Sequence, residues 1–176
     1  MTGAPEPDPT PDGGASVVDA SVVGASVVGA SVVGDVAVGA LQDALAAEHA
    51  ALWCYSLAVA FLPAEQLAQA REDAEAHRVL RSAVEGTLDQ VGARPVSAQP
   101  AYATPQPVLD GPSAAALAVL TETDALAAWR SVLERTGDRG LRQAALDALT
   151  GGTLRCARWR VVVGSPPAIP IFPGRP

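Results

Sequence analysis

Residues 41–63, LQDALAAEHAALWCYSLAVAFLP, decide the fold. Leu41, Leu45, Glu48, Leu52, Tyr55, Val59 and Leu62 recur at steps of three and four, the spacing that places side chains on one face of an α-helix. Pro63 closes the run. Glu48 is an acid on an otherwise apolar stripe. A carboxylate facing a core must find a partner, so the pattern that predicts a helix also predicts a polar site inside it.

Toward the C-terminus the period continues. A second stripe runs Leu67, Ala70, Ala74, His77, Arg81, Val84, Leu88 and Val91, closed by Gly92. About twenty residues follow, carrying Pro95, Pro100, Pro105 and Pro107, and they cannot be helical. Ser113 is the expected N-cap of a third helix, with a stripe of Leu117 or Val119, Glu122, Ala125, Leu126, Trp129 and Leu133. Gly137 and Gly140 break it. A fourth stripe is Leu141, Ala145, Ala148, Gly152, Cys156 and Trp159, and a Pro-rich extended tail begins at Gly164. Two helical hairpins joined by one long connection have the connectivity of ferritin-like bundles. The expected fold is therefore all-α, a ferritin-like four-helix bundle over 40–163 with a Pro-rich crossover between helices 2 and 3. The halves resemble each other: Glu48, Leu52 and Tyr55 align with Glu122, Leu126 and Trp129, and His77 aligns with Gly151.

Toward the N-terminus the period is lost. Residues 1–14 are rich in Pro, Gly and acids, and from Ala15 a pentapeptide recurs as ASVVD, three copies of ASVVG, and DVAVG. Five residues turn a helix by about 500°, which scatters the Val pairs around the cylinder, and an odd period flips them across a strand. Residues 1–39 are therefore expected to be a disordered, low-complexity leader, with docking of a protein partner as the alternative. The uncharged run between Asp19 and Asp35 is shorter than the roughly 18 residues of a membrane helix. The first Arg is Arg71, so no cationic start marks a secretory signal, and a cytoplasmic location is expected.

Composition narrows the function. The chain has 176 residues, net charge -7, 36 Ala and no Lys, which argues against a counterion-releasing grip on nucleic acid. Cys54 and Cys156 are too few for a zinc knuckle or a disulfide scaffold and are expected in the core. No glycine-rich phosphate loop follows a strand, and the stripes bring no nucleophilic triad together. Arg155, Arg158 and Arg160 are expected to form a solvated basic end of helix 4 that suits its dipole.

A carboxylate di-iron bundle needs one Glu on each of two helices and a Glu-x-x-His on each of the other two. Glu48, Glu122 and His77 occupy three of those six positions; Ala74, Ala148 and Gly151 occupy the rest. Glu75 and Asp147 are displaced by about 100° around their helices. Arg81 and its repeat-equivalent Arg155 lie on inward stripes, and a guanidinium opposes a metal while suiting a buried carboxylate. The expectation is a buried polar network of Glu48, His77, Arg81, Glu122 and Arg155 filling a lost metal cavity, with no cofactor. The alternative is a reduced iron site on Glu48, His77 and Glu122. His49 is expected at the surface.

LQDALAAEHAALWCY, EAHRVLRSAVEG, PAYATPQPV, LRCARWR and the closing IFPGRP together resemble a ferritin-like family of unknown function from high-GC bacteria (domain of unknown function 4439), over Leu41 to Pro176. The resemblance implies the four-helix ferritin-like fold and brings no activity with it. The expected function is a binding or structural module, a homodimer that has lost di-iron chemistry; the alternative is a metal-dependent oxidoreductase or iron-handling protein.

Overall fold

The computed structural model describes residues 34–175 together with Met1. The leader and the repeats through Val33 lie outside the described residues. Among those residues the chain is all-helical, with no strand: α1 is Asp35–Val59, α2 is Ala64–Gln90, α3 is Gly111–Arg135 and α4 is Arg139–Val162. α1 packs on α2 and on α3, and α3 packs on α4. This arrangement is consistent with a four-helix bundle. No helix among the described residues is long and apolar enough to cross a membrane.

Three boundaries differ from expectation. α1 starts at Asp35, inside the last pentapeptide, and not at the expected residue 40. Packing decides this start: Ala37 is buried and Val38 lies against the core, so the helix that buries Leu41 extends one turn back to bury them too. Asp35 also places a negative charge at the positive end of the helix dipole. The N-cap of α3 is Asp110 and not Ser113. The Asp110 carboxylate accepts the Ser113 backbone N–H at 2.9 Å, and the Asp110 N–H donates back to the Ser113 hydroxyl at 3.0 Å. This reciprocal capping box satisfies two orphan donors, and Pro112, just inside the helix, has no N–H to orphan. In α4, Gly140 lies within the first turn and does not break the chain before it, because Asp138 caps the helix by accepting the Leu141 N–H at 2.8 Å.

Residues 91–110 carry no helix or strand. They follow α1 along its length. Gln42 holds the segment at both of its amide atoms, donating to the Arg94 carbonyl and accepting from the Val96 N–H, each at 2.8 Å. Farther along, the Tyr102 ring sits 6.0 Å from that of Trp53.

The core divides in two. One cluster gathers Leu41, Leu45, Val84, Leu88, Trp129, Val132 and Leu141. The other gathers Tyr55, Ala58, Leu62, Ala70, Ala114, Ala118 and Trp159. Glu48, His77 and Glu122 each fall, along their own helices, between residues of the first cluster and residues of the second. They form a polar layer across the helices.

Candidate functional site

Three helices supply the layer, one titratable side chain each, because the helical period that brings Leu45, Ala74 and Ala118 inward brings the next turn inward too. Glu48, His77 and Glu122 are all 0% exposed. The imidazole bridges the two carboxylates: His77 Nδ1 lies 2.6 Å from Glu48 Oε2, and Nε2 lies 3.1 Å from Glu122 Oε1. An ionised carboxylate only accepts hydrogen bonds, so both ring nitrogens donate and the ring is an imidazolium. Burial pushes the His77 pKa down, but the hydrogen bonds to Glu122 and Glu48 outweigh it and raise the value to about 9.

Two aromatic donors complete the carboxylates, crossed between the halves of the chain. Tyr55, two turns after Glu48, donates its hydroxyl to Glu122 at 2.7 Å. Trp129, two turns after Glu122, donates its indole N–H to Glu48 at 2.7 Å. Burial, then the negative charge of Glu122, push the Tyr55 phenol well above its ordinary pKa, which keeps it a donor. Glu122 behaves in the opposite way. Burial raises its pKa, and the His77 hydrogen bond with the charges of His77 and Arg155 more than reverses that, leaving it lowered.

Arg155 reaches Glu122 from α4. Its Nε–H is shared between the two carboxylate oxygens at 3.1 Å each, a bifurcated contact and not a two-pronged fork. A Cβ added at Gly151 would meet Arg155 Nη1 at 3.4 Å, and one added at Gly152 would meet Nη2 at 3.5 Å and Leu126 Cδ2 at 3.1 Å. The guanidinium therefore lies over two residues without side chains. The layer sets two acids against two bases.

Arg81 is a correction. It was expected inside the network, but its side chain is one-third exposed, its nearest acid is Glu85 at 3.8 Å one turn along the same helix, and its buried Nε has no hydrogen-bond partner. The reason is helical geometry: one turn past His77, a long side chain at the edge of the stripe reaches outward and keeps its head in water. His49 also departs from expectation. Its side chain is 9% exposed, with Nε2 at 3.2 Å from the Val96 carbonyl and 3.9 Å from Glu85. The 91–110 segment covers it.

A second polar cluster is absent from the sequence reading. Asp73, 1% exposed, accepts from the Trp159 indole N–H at 2.8 Å and from Arg158 at 2.6 Å. Burial raises the Asp73 pKa, against the pull of Arg158. Arg158 thus ties α4 to α2 and does not merely solvate a helix end. Arg160 donates to the Pro167 carbonyl at 2.8 Å. A sequence signal for Asp73 existed: it lies three residues after Ala70 and four before His77, on their stripe. Glu75 pairs with Arg78 at 2.6 Å on the surface, and Asp147 accepts from Gln143. Cys156 is buried and Cys54 is half-buried.

Three of the six positions of the di-iron pattern set out above carry no ligand atom. The positions that lack ligands carry Ala74, Ala148 and Gly151. Both nitrogens of His77 are spent on carboxylates, and the carboxylate oxygens already face an imidazole, an indole, a phenol and a guanidinium. Among the described residues no group of three or more His, Cys, Asp or Glu is arranged to hold a metal ion.

The profile of one family matches residues 40–176. The chain belongs to the family described as Domain of unknown function (DUF4439). A solved structure of similar shape is that of a conserved hypothetical protein, Rv2844, from Mycobacterium tuberculosis. Its crystal structure is 33% identical in sequence, matches with a TM-score of 0.72, and covers 73% of this chain and 98% of its own. No curated protein matches the sequence.

Proposed function

We infer that this member of the family is a ferritin-like bundle, with residues 91–110 as its crossover, in which a self-neutralising side-chain layer stands where a di-iron centre would be, and that it works as a binding or structural module and not as an oxidase. One observation carries this reading. The Arg155 guanidinium lies across Gly151 and Gly152 and donates to both oxygens of Glu122, beside the α4 position, Gly151, at which the di-iron pattern calls for a ligand. A fixed cation there opposes iron electrostatically and uses the carboxylate that iron would require. The crossed donors Tyr55 and Trp129 support the same reading, since they give each carboxylate a neutral N–H or O–H partner.

Metal analysis of protein purified without a chelating tag, followed by aerobic addition of Fe(II), tests it. The expected result is less than stoichiometric metal and no ferroxidase signal above a buffer blank. Two irons bound per chain would overturn it, and one iron lost on replacing His77 would favour a mononuclear site on Glu48, His77 and Glu122 instead.

A further inference from the structure

On the outer side of α3 and α4 lies an open groove of about 300 Å³, walled by Leu133, Leu146, Leu149 and Thr150, with Pro173 of the C-terminal segment at its edge. Leu146 is half exposed there. The charges at its rim cancel: Arg130 Nε lies 2.7 Å from Glu134. Such a surface offers apolar contact and no free charge.

We propose that this groove seats the chain's own valine-rich N-terminal segment, residues 15–33. The segment's chemistry matches the groove. From Ala20 to Gly34 it has no charged residue, and it carries the pairs Val22–Val23, Val27–Val28 and Val32–Val33. Its point of attachment also matches. The segment joins α1 at Gly34, and Val38, in the first turn, packs on the same core cluster as Leu133, with Leu141, Ala145 and Leu149 in that cluster. Two walls of the groove therefore belong to the cluster that anchors the end of α1 from which the segment departs. Nineteen residues can extend about 60 Å, so reach is no obstacle.

The pentapeptide that defeats an amphipathic helix or strand suits this task. In an extended chain adjacent side chains point to opposite sides, so each Val pair presents one Val to the groove whichever way the segment lies. Successive pairs recur at roughly 16 Å. Seating one pair is sufficient, and slippage by a whole repeat replaces one pair by an equivalent one. Tethering supplies an effective concentration on the order of millimolar, which lets a weak apolar contact persist against free partners. Occupancy would also withdraw a Val-rich, uncharged stretch from water, where it is prone to aggregate.

Methyl-labelled full-length protein tests the proposal directly. Nuclear Overhauser cross-peaks are expected between Val methyls of the repeats and the methyls of Leu146 and Leu149, unchanged on tenfold dilution. Leu146→Glu should abolish them while methyls of the buried core stay in place. Replacing Val22, Val23, Val27, Val28, Val32 and Val33 with Ser should shift the Leu146 methyl resonances without touching the bundle, and serves if Leu146→Glu disturbs folding. Repeat Val methyls at random-coil positions with no cross-peaks would overturn the proposal. Cross-peaks found only between differently labelled chains would also overturn it, and would assign the groove to a second copy.

Discussion

Arg155→Met separates the network that the structure contains from the one that the sequence suggested. Glu122 Oε1 accepts from Tyr55, His77 and Arg155, whereas Oε2 accepts from Arg155 alone. Removing the guanidinium therefore strips one buried oxygen of its donor and leaves the other held. A charge-assisted hydrogen bond contributes about 1.5–3 kcal/mol, and stranding a wholly buried charge costs about 3–5 kcal/mol. The retained phenol and imidazolium, and the slight exposure of Arg155 through which water can follow, place the expected loss near the lower values, about 2–3 kcal/mol. Urea melts should show a lower midpoint at unchanged slope, and thermal melts a fall of about 4–12 °C. Arg81→Met should cost less than about 0.5 kcal/mol, since a partly exposed pair at 3.8 Å contributes little. Adding Glu122→Gln to Arg155→Met should recover at least about 1 kcal/mol, because the amide still accepts from Tyr55 and no longer carries a charge. Losses for Arg155→Met and Glu122→Gln that add within about 0.5 kcal/mol, or an Arg81→Met cost equal to that of Arg155→Met, would refute the assignment.

Stability should also depend on pH through His77. Its folded pKa, about 9, lies above the ordinary 6.5, so its contribution is complete below pH 6.5, declines as pH rises, and is gone above about 9; melting temperatures from pH 6 to 10 check this, and His77→Gln should flatten that slope. Trp129→Phe removes the indole donor to Glu48 and should cost about 1–3 kcal/mol in a denaturant melt, while Trp53→Phe, at a partly buried aromatic contact with Tyr102, should cost less. Gly174→Ala should release the C-terminal segment from α3, because φ is +76° and the new Cβ would meet the Leu126 carbonyl oxygen at 2.5 Å and Arg130 Cβ at 2.9 Å; hydrogen exchange should rise around Phe172 while α1 stays protected.

Local periodicity determined the helices, because an apolar residue every three or four positions allows only one way to bury a continuous stripe. Leu41 to Leu62, and the α4 stripe from Leu141 to Trp159, could be read in that way, as could the inward positions of Glu48, His77 and Glu122. The helix starts could not. Asp35 begins α1 because Ala37 is buried and Val38 packs on a core to which α3 and α4 contribute, and no local signal reports a distant surface.

The partners of the buried charges were likewise a tertiary decision. A stripe fixes which face a residue occupies but not how far a long side chain reaches, so Arg81 and Arg155, equivalent by repeat, diverged: one extends to Glu85 at the edge, the other folds over Gly151 and Gly152 onto Glu122. The Tyr55 and Trp129 spacings were visible, seven residues after each Glu. Their crossing was not, because each donates to the carboxylate of the other helix, and only the packing of α1 on α3 brings those atoms within 2.7 Å.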